Sequence, residues 1–133
     1  MSVANASVGL LLRSPLHPLL SAKVQLIRYT GRRSGAEHRT PTQYVELEHD
    51  QVAILVGNPD RKTWWKNFDE GWALDLLIRG SWRRTQARSC WRHDDPMTVD
   101  DIVRRFAQKY GERHAPAPEA DTLVILCAPI GSR

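Results

Sequence analysis

Apolar and polar positions alternate in short runs along most of the chain, and a helical period is written plainly in only one stretch. Residues 24–30, VQLIRYT, and 41–47, PTQYVEL, are rich in β-branched and aromatic side chains and flank a glycine-bearing basic stretch, which predicts two strands joined by a turn. His49 and Asp50 punctuate the chain before VAILV at 52–56, a continuous apolar run of strand length expected to be buried on both faces. Gly57, Asn58, Pro59 and Asp60 end that run, and TWWKNF at 63–68 predicts a short helix with Thr63 as its N-cap. ALDLLI at 73–78 is the next strand. Arg79 and Gly80 form a tight turn, after which WRRTQARSCW at 82–91 alternates as an antiparallel partner with Arg and Gln on its exposed face. Through this region the strand order is expected to follow the sequence.

The helical stretch begins with a T-x-x-D capping pattern at Thr98 and Asp101. Val99, Ile102, Val103, Phe106 and Tyr110 recur at helical spacing, and Gly111 supplies a stop. A last strand, TLVILCA at 122–128, follows the loop HAPAPEA. About six antiparallel strands interrupted by one short and one longer helix indicate an α+β domain, a small barrel with helices on its outside. The chain of 133 residues is expected to be one domain, with residues 1–22 as an N-terminal helical segment. Within that segment VGLLLRSPLHPLL, 8–20, is too short and too broken by Arg13, Pro15 and Pro18 to cross a bilayer. Two roles remain for it, capping the barrel or lying on a membrane surface as a peripheral contact.

Composition narrows the chemistry without choosing it. A net charge of +4 suits an anionic small molecule, nucleic acid or an anionic membrane about equally. Cys90 and Cys127 stand far apart with no CxxC spacing, which favours a reduced, cytoplasmic setting. The five histidines, at 17, 38, 49, 93 and 114, show no metal-ligand spacing, and neither GxSxG nor a Walker loop occurs, so metal and nucleophilic catalysis are not expected. The concentrated signal is RYTGRRSGAEHRTP at 28–41, with five basic side chains counting His38. Gly31 and Gly35 permit positive φ and close backbone approach, while Arg32, Arg33 and the Ser34 hydroxyl can surround phosphate or carboxylate oxygens. A solvated hairpin tip whose arginines serve solubility accounts for the same residues.

GRRSG at 31–35, the Arg39-Thr40-Pro41 start of the second strand, Trp64-Trp65-x-Asn67-Phe68 and the late Ala128-Pro129 together resemble the deazaflavin-dependent nitroreductase family, over about residues 24–129. That family is a branch of the split β-barrel flavin and deazaflavin oxidoreductases, an FMN-binding-like fold. The resemblance implies coenzyme F420 as cofactor, with FMN as the alternative, and hydride transfer from reduced F420 to a small-molecule electron acceptor: a quinone, a nitroaromatic or an activated alkene. It also implies a cofactor site formed by Arg32, Arg33, Ser34, Gly35, His38, Arg39, Thr40 and Pro41, with Gly57, Asn58, Arg61, Lys62, Trp64, Trp65 and Asn67 from the loop and helix after the third strand.

Adjacent on a helix, Trp64 and Trp65 face about 100° apart, so one of them belongs to the core. Family members commonly carry a Pro-Arg pair where Glu37 and His38 stand. That implies an anion cradle that is weaker here, pH-sensitive through His38, or supported by Arg39. The 57–62 loop is also shorter than in several relatives. Tyr110 corresponds to tyrosines lining the substrate side of the deazaflavin, which implies a catalytic hydrogen bond to the acceptor oxygen, although it also fits the helix's apolar face. A carrier of F420, flavin, haem or fatty acid without turnover is the second reading. Nucleic-acid binding through Arg79, Arg83, Arg84 and Arg88 is the third, disfavoured because acidic residues are interspersed. Both a monomer and a homodimer are compatible with the sequence.

Overall fold

A strand apolar on both faces needs a neighbour at each edge, and this requirement sets the topology. The structure, a computed structural model, describes residues 22–115 and 117–130. The expected N-terminal segment, with its apolar stretch at 8–20, therefore lies outside the described residues apart from Ala22. β1 (Gln25–Thr30), β2 (Glu37–Thr42), β3 (Val45–Glu46), β4 (Val52–Val56), β5 (Trp72–Ile78), β6 (Ser81–Trp91) and β7 (Leu123–Pro129) form a seven-stranded sheet in the order β2-β1-β5-β6-β7-β4-β3. Strand order thus departs from sequence order. β4 takes β3 at one edge and β7 at the other, and β1 lies between β2 and β5. The pairings for which a register is given, β1 with β2 and β5, and β4 with β3 and β7, are antiparallel.

The described chain forms two units. The first holds residues up to Gln43, Ala73–Gln86 and those from Pro129 on, that is β1, β2, β5 and the first half of β6. Its hairpin turn is tighter than the sequence suggests. Gly31 N–H donates to Ala36 O at 2.8 Å and Gly35 N–H to Gly31 O at 3.0 Å, so pairing resumes at Glu37, and His38 and Arg39 lie on a strand. The β5–β6 turn uses Arg79 at φ 51° and Gly80 at φ 78°, the left-handed pair that a two-residue hairpin of matching twist demands. Leu26 and Leu77 pack with Trp82, and the Arg28 guanidinium lies 3.9 Å from the centre of the Trp82 ring. The Thr85 hydroxyl, buried on β6, donates to Leu74 O at 2.6 Å.

The second unit, Tyr44–Trp72 and Ala87–Ala128, packs the helix α1 (Pro96–Tyr110) against its strands. Val99, Ile102, Val103 and Phe106 form the buried stripe and meet Ala53 and Val124. The helix starts a turn earlier than the T-x-x-D pattern suggests, because Pro96 tolerates the first helical position and the Asp95 carboxylate accepts from Thr98 N–H at 3.2 Å. Asp101, freed from capping, pairs instead with Arg104 and Arg105. The expected strand at 41–47 is divided between β2 and β3, since Tyr44 turns its backbone N–H and C=O to side chains of α1. The expected 63–68 helix is a 3-10 helix, Trp64–Phe68. Thr63 sits at its N-cap position without a side-chain capping bond.

Candidate functional site

Gly31 packs closely at the start of the β1–β2 turn. A Cβ on Gly31 would lie 2.5 Å from Ser34 Oγ and 3.3 Å from His38 Nε2, so a side chain there would displace the Ser34 hydroxyl and crowd the His38 ring. Ser34 Oγ accepts from Ala36 N–H at 3.1 Å, and Gly35 takes φ 71°. Arg32 and Arg33 project from this turn and are exposed. Arg33 has neither a hydrogen bond nor an ion pair among the described residues.

The neighbouring arginines are committed elsewhere. Arg28 binds Asp75 at 2.9 Å, and Arg39 binds Glu37 at 2.8 Å, so the guanidinium expected to support the cradle is already partnered. His38 stacks on Tyr29, directly opposite it in the register, with ring centres 5.1 Å apart. Burial pushes the Tyr29 hydroxyl's pKa up. Thr40 and Pro41 lie opposite Ile27 and Leu26 and are half-buried.

The 57–68 stretch lies in the second unit. Around a Cβ built on Gly57, the one heavy atom of the described residues within 4 Å is Lys62 Nζ, at 3.9 Å. Asn58 is left-handed, φ 52°, and its carbonyl accepts from Arg61 N–H at 3.0 Å. The Arg61 and Lys62 side chains are exposed and have no ion-pair partner among the described residues. Of the two tryptophans, Trp65 is the core residue. Its indole N–H donates to Pro59 O at 2.8 Å, and its ring meets Trp91 edge-on at 5.2 Å. Trp64 is half-buried, edge-on to Phe68 at 6.0 Å, and its carbonyl accepts from Asn67 Nδ2 at 2.8 Å.

The Tyr110 hydroxyl donates to Tyr44 O at 2.9 Å and accepts from Tyr44 N–H at 3.1 Å. Lys109 Nζ donates to the same carbonyl at 2.8 Å and sits 3.8 Å from the centre of the Tyr44 ring. Burial pushes the Tyr110 pKa up, against the backbone hydrogen bond to Tyr44. Its only proton is thus directed at a backbone carbonyl, and giving it to a substrate oxygen requires that bond to open. His114 is exposed, its ring 6.4 Å from that of Tyr110. Tyr44 and Lys109 carried no sequence signal. Gln25 did: a lone amide in an otherwise apolar strand start, fully buried at 0% exposure, with no hydrogen-bond partner for Oε1 among the described residues.

Exposed, carboxylate-free cations beside backbone that bears no side chain are the donor set that phosphate and carboxylate oxygens require. The antiparallel sheet of this strand order with its packed helix is an α+β split β-barrel of the FMN-binding-like type. The sequence profile of the F420H(2)-dependent quinone reductase family matches residues 13–126, and the chain belongs to that family. It is an F420H2-dependent reductase, and coenzyme F420 is its cofactor.

Among solved structures, the chain is similar to an F420-H2 dependent reductase, FDR-A, with 15% identity over 78% of this chain and 93% of that one, TM-score 0.57. It is similar to a FAD and heme binding protein from Mycobacterium smegmatis, with 14% identity over 90% of this chain and 67% of that one, TM-score 0.52. A protein described as a domain-swapped dimer aligns at 15% identity over 79% of both chains, TM-score 0.59. At such identities these likenesses show the fold. No curated protein matches the sequence.

Proposed function

We propose that the protein uses the hydride supplied by bound, reduced F420 to reduce a quinone, with nitroaromatics and activated alkenes as further acceptors. The observation that carries this reading is the contrast among the cations. Arg28, Arg39, Arg92, Arg104 and Arg105 each face a carboxylate, whereas Arg33, Arg61 and Lys62 face none among the described residues. Unspent charge on glycine-bearing loops is what a polyanionic tail needs. Arg32 and Arg33 hold the tail's oxyanions through planar forks, Ser34 and Gly35 shape the turn beneath them, and His38, Thr40 and Pro41 continue the surface along β2. Gly57, Asn58, Arg61 and Lys62 offer a second anion-binding loop, with Trp64 and Asn67 on the helix that follows. Trp65 and Tyr110 enter as positioning residues, Trp65 by fixing the 59–61 turn and Tyr110 by fixing Tyr44.

Reduction of such acceptors needs alignment and exclusion of water more than a dedicated base, which agrees with a site lacking a catalytic dyad. The test is oxidation of reduced F420 against a panel of quinones, nitroaromatics and enones. Turnover well above buffer is expected. Binding without turnover across the panel would replace the reductase with a carrier. Because FMN lacks the polyglutamate tail, F420 is expected to bind more tightly. Replacing both Arg32 and Arg33 by Ala should raise the F420 dissociation constant at least about tenfold, since each charge-assisted bond contributes roughly 1.5 kcal/mol at an exposed site. The melting temperature should not move. An unchanged constant would make the turn a solvated tip.

A further inference from the structure

Gln25 opens β1 directly opposite Thr42 at the end of β2. Its side chain has no exposed surface, its Nε2 donates to Thr42 Oγ1 at 3.1 Å, and its Oε1 has no hydrogen-bond partner among the described residues. Exchanging the two ends of the amide does not remove the problem. The Thr42 hydroxyl can donate or accept, so one head of the amide is satisfied and the other is not in either orientation. Folded proteins seldom keep a buried polar head unpaired, because the cost of desolvation is not recovered. A leucine or valine would fit an apolar strand start without that cost.

Alternation along paired strands puts Gln25 on the same face as Ile27 and Tyr29 of β1 and as Thr42, Thr40 and His38 of β2. Thr42 is half-buried, so the amide lies one side chain in from the surface. The face therefore runs from the cationic turn, through hydroxyl-bearing residues, to a buried amide with one head that no hydrogen bond satisfies among the described residues. Five residue steps of strand separate Gln25 from Thr30, roughly 17 Å of backbone. A ligand charged at one end and bearing a hydrogen-bonding ring at the other matches that sequence of groups.

We infer that Gln25 is a specificity residue that pairs with a cyclic imide edge, an N–H beside a C=O, of the bound cofactor's ring. The deazaflavin pyrimidinedione offers such an edge: its N–H donates to Oε1, or its C=O accepts when the amide is turned. The inference rests on the F420 reading above. It separates two jobs along one face, charge recognition at Arg32 and Arg33 and ring recognition at Gln25.

The test is Gln25→Met, near-isosteric but unable to pair. The variant should stay folded, since the unpaired head it removes offsets the lost bond to half-buried Thr42, and should bind F420 at least about tenfold more weakly in a fluorescence titration. A folded variant with wild-type affinity overturns the inference and leaves the reductase reading standing. Wild-type protein that does not bind F420 overturns both. If the variant is destabilised or does not fold, wild-type protein decides the matter: the Gln25 side-chain amide resonances in a 15N spectrum should shift on F420 addition. Unmoved resonances would show that the amide serves only the free protein.

Discussion

Arg28 and Arg39 stand directly opposite each other across β1 and β2, a like-charge pairing that by itself weakens a sheet. Each is answered by its own carboxylate, Asp75 from β5 and Glu37 from the same strand. The two are not equal. The Arg28 and Asp75 side chains are 29% and 23% exposed and Arg28 also covers Trp82, whereas Glu37 is 54% exposed. Asp75→Asn should therefore destabilise the protein by about 1–2 kcal/mol in thermal denaturation, and Glu37→Gln by less than about 0.5 kcal/mol.

Tyr110 yields a second prediction at this scale. Tyr110→Phe removes the hydroxyl that accepts from the N–H of fully buried Tyr44, while Lys109 keeps its bond to the Tyr44 carbonyl. A loss of about 1–2 kcal/mol is expected, with F420 affinity within about twofold of wild type. A large fall in turnover with no change in stability would restore the tyrosine as a direct donor. Residue roles were the least legible part of the sequence. GRRSG advertised its charge, but which arginine was free and which was spent depends on cross-strand neighbours such as Asp75, 47 residues from Arg28.

Periodic elements were legible and their ends were not. The apolar stripe of α1 and the runs of β4, β5 and β7 follow from periodicity. The helix start, by contrast, moved to Asp95 because Asp-Pro is a cap and first residue in one, and β2 broke from β3 because Tyr44 bonds to a helix 66 residues away. The β3–β4 connection carries two consecutive left-handed residues, His49 and Asp50, both at φ 59°. Neither is the asparagine or glycine that such a turn favours. Replacing the pair by Asn-Gly should stabilise the protein by about 1 kcal/mol, seen as a higher denaturant midpoint with unchanged slope. Asp95→Ala should cost about 1 kcal/mol by loss of the cap.

Ionisation acts on the molecule as a whole. Hydrogen bonding by Thr98 holds the Asp95 carboxyl low, Arg92 does the same for Asp100, and Arg105 for Glu48. Because their folded pKa values are depressed, their contribution is present above the unfolded carboxylate range and is lost as pH falls through it, from about pH 5 downward. Burial raises the Tyr29, Tyr110 and Cys90 values. Their contribution is complete below the unfolded values and declines as pH rises past about 9. Melting temperature should thus be nearly flat from about pH 5 to 8 and fall on both sides. A maximum in strong acid would contradict these assignments. At this scale the strand content was readable but the order was not, because pairing partners far apart in sequence leave no local mark.

The alignment of Val52 with Cys127 and Val56 with Leu123 has a bearing on how the chain is made. During synthesis β4 leaves the ribosome with only the short β3 beside it, and its other edge waits for residues translated about 70 positions later, several seconds at roughly 5–20 residues per second. For that interval VAILV is an apolar strand with an open edge, the kind of segment that recruits other nascent chains. Any truncation that removes β7 makes the wait permanent, so such fragments should accumulate as aggregates or chaperone clients even though every residue of the cationic turn is present.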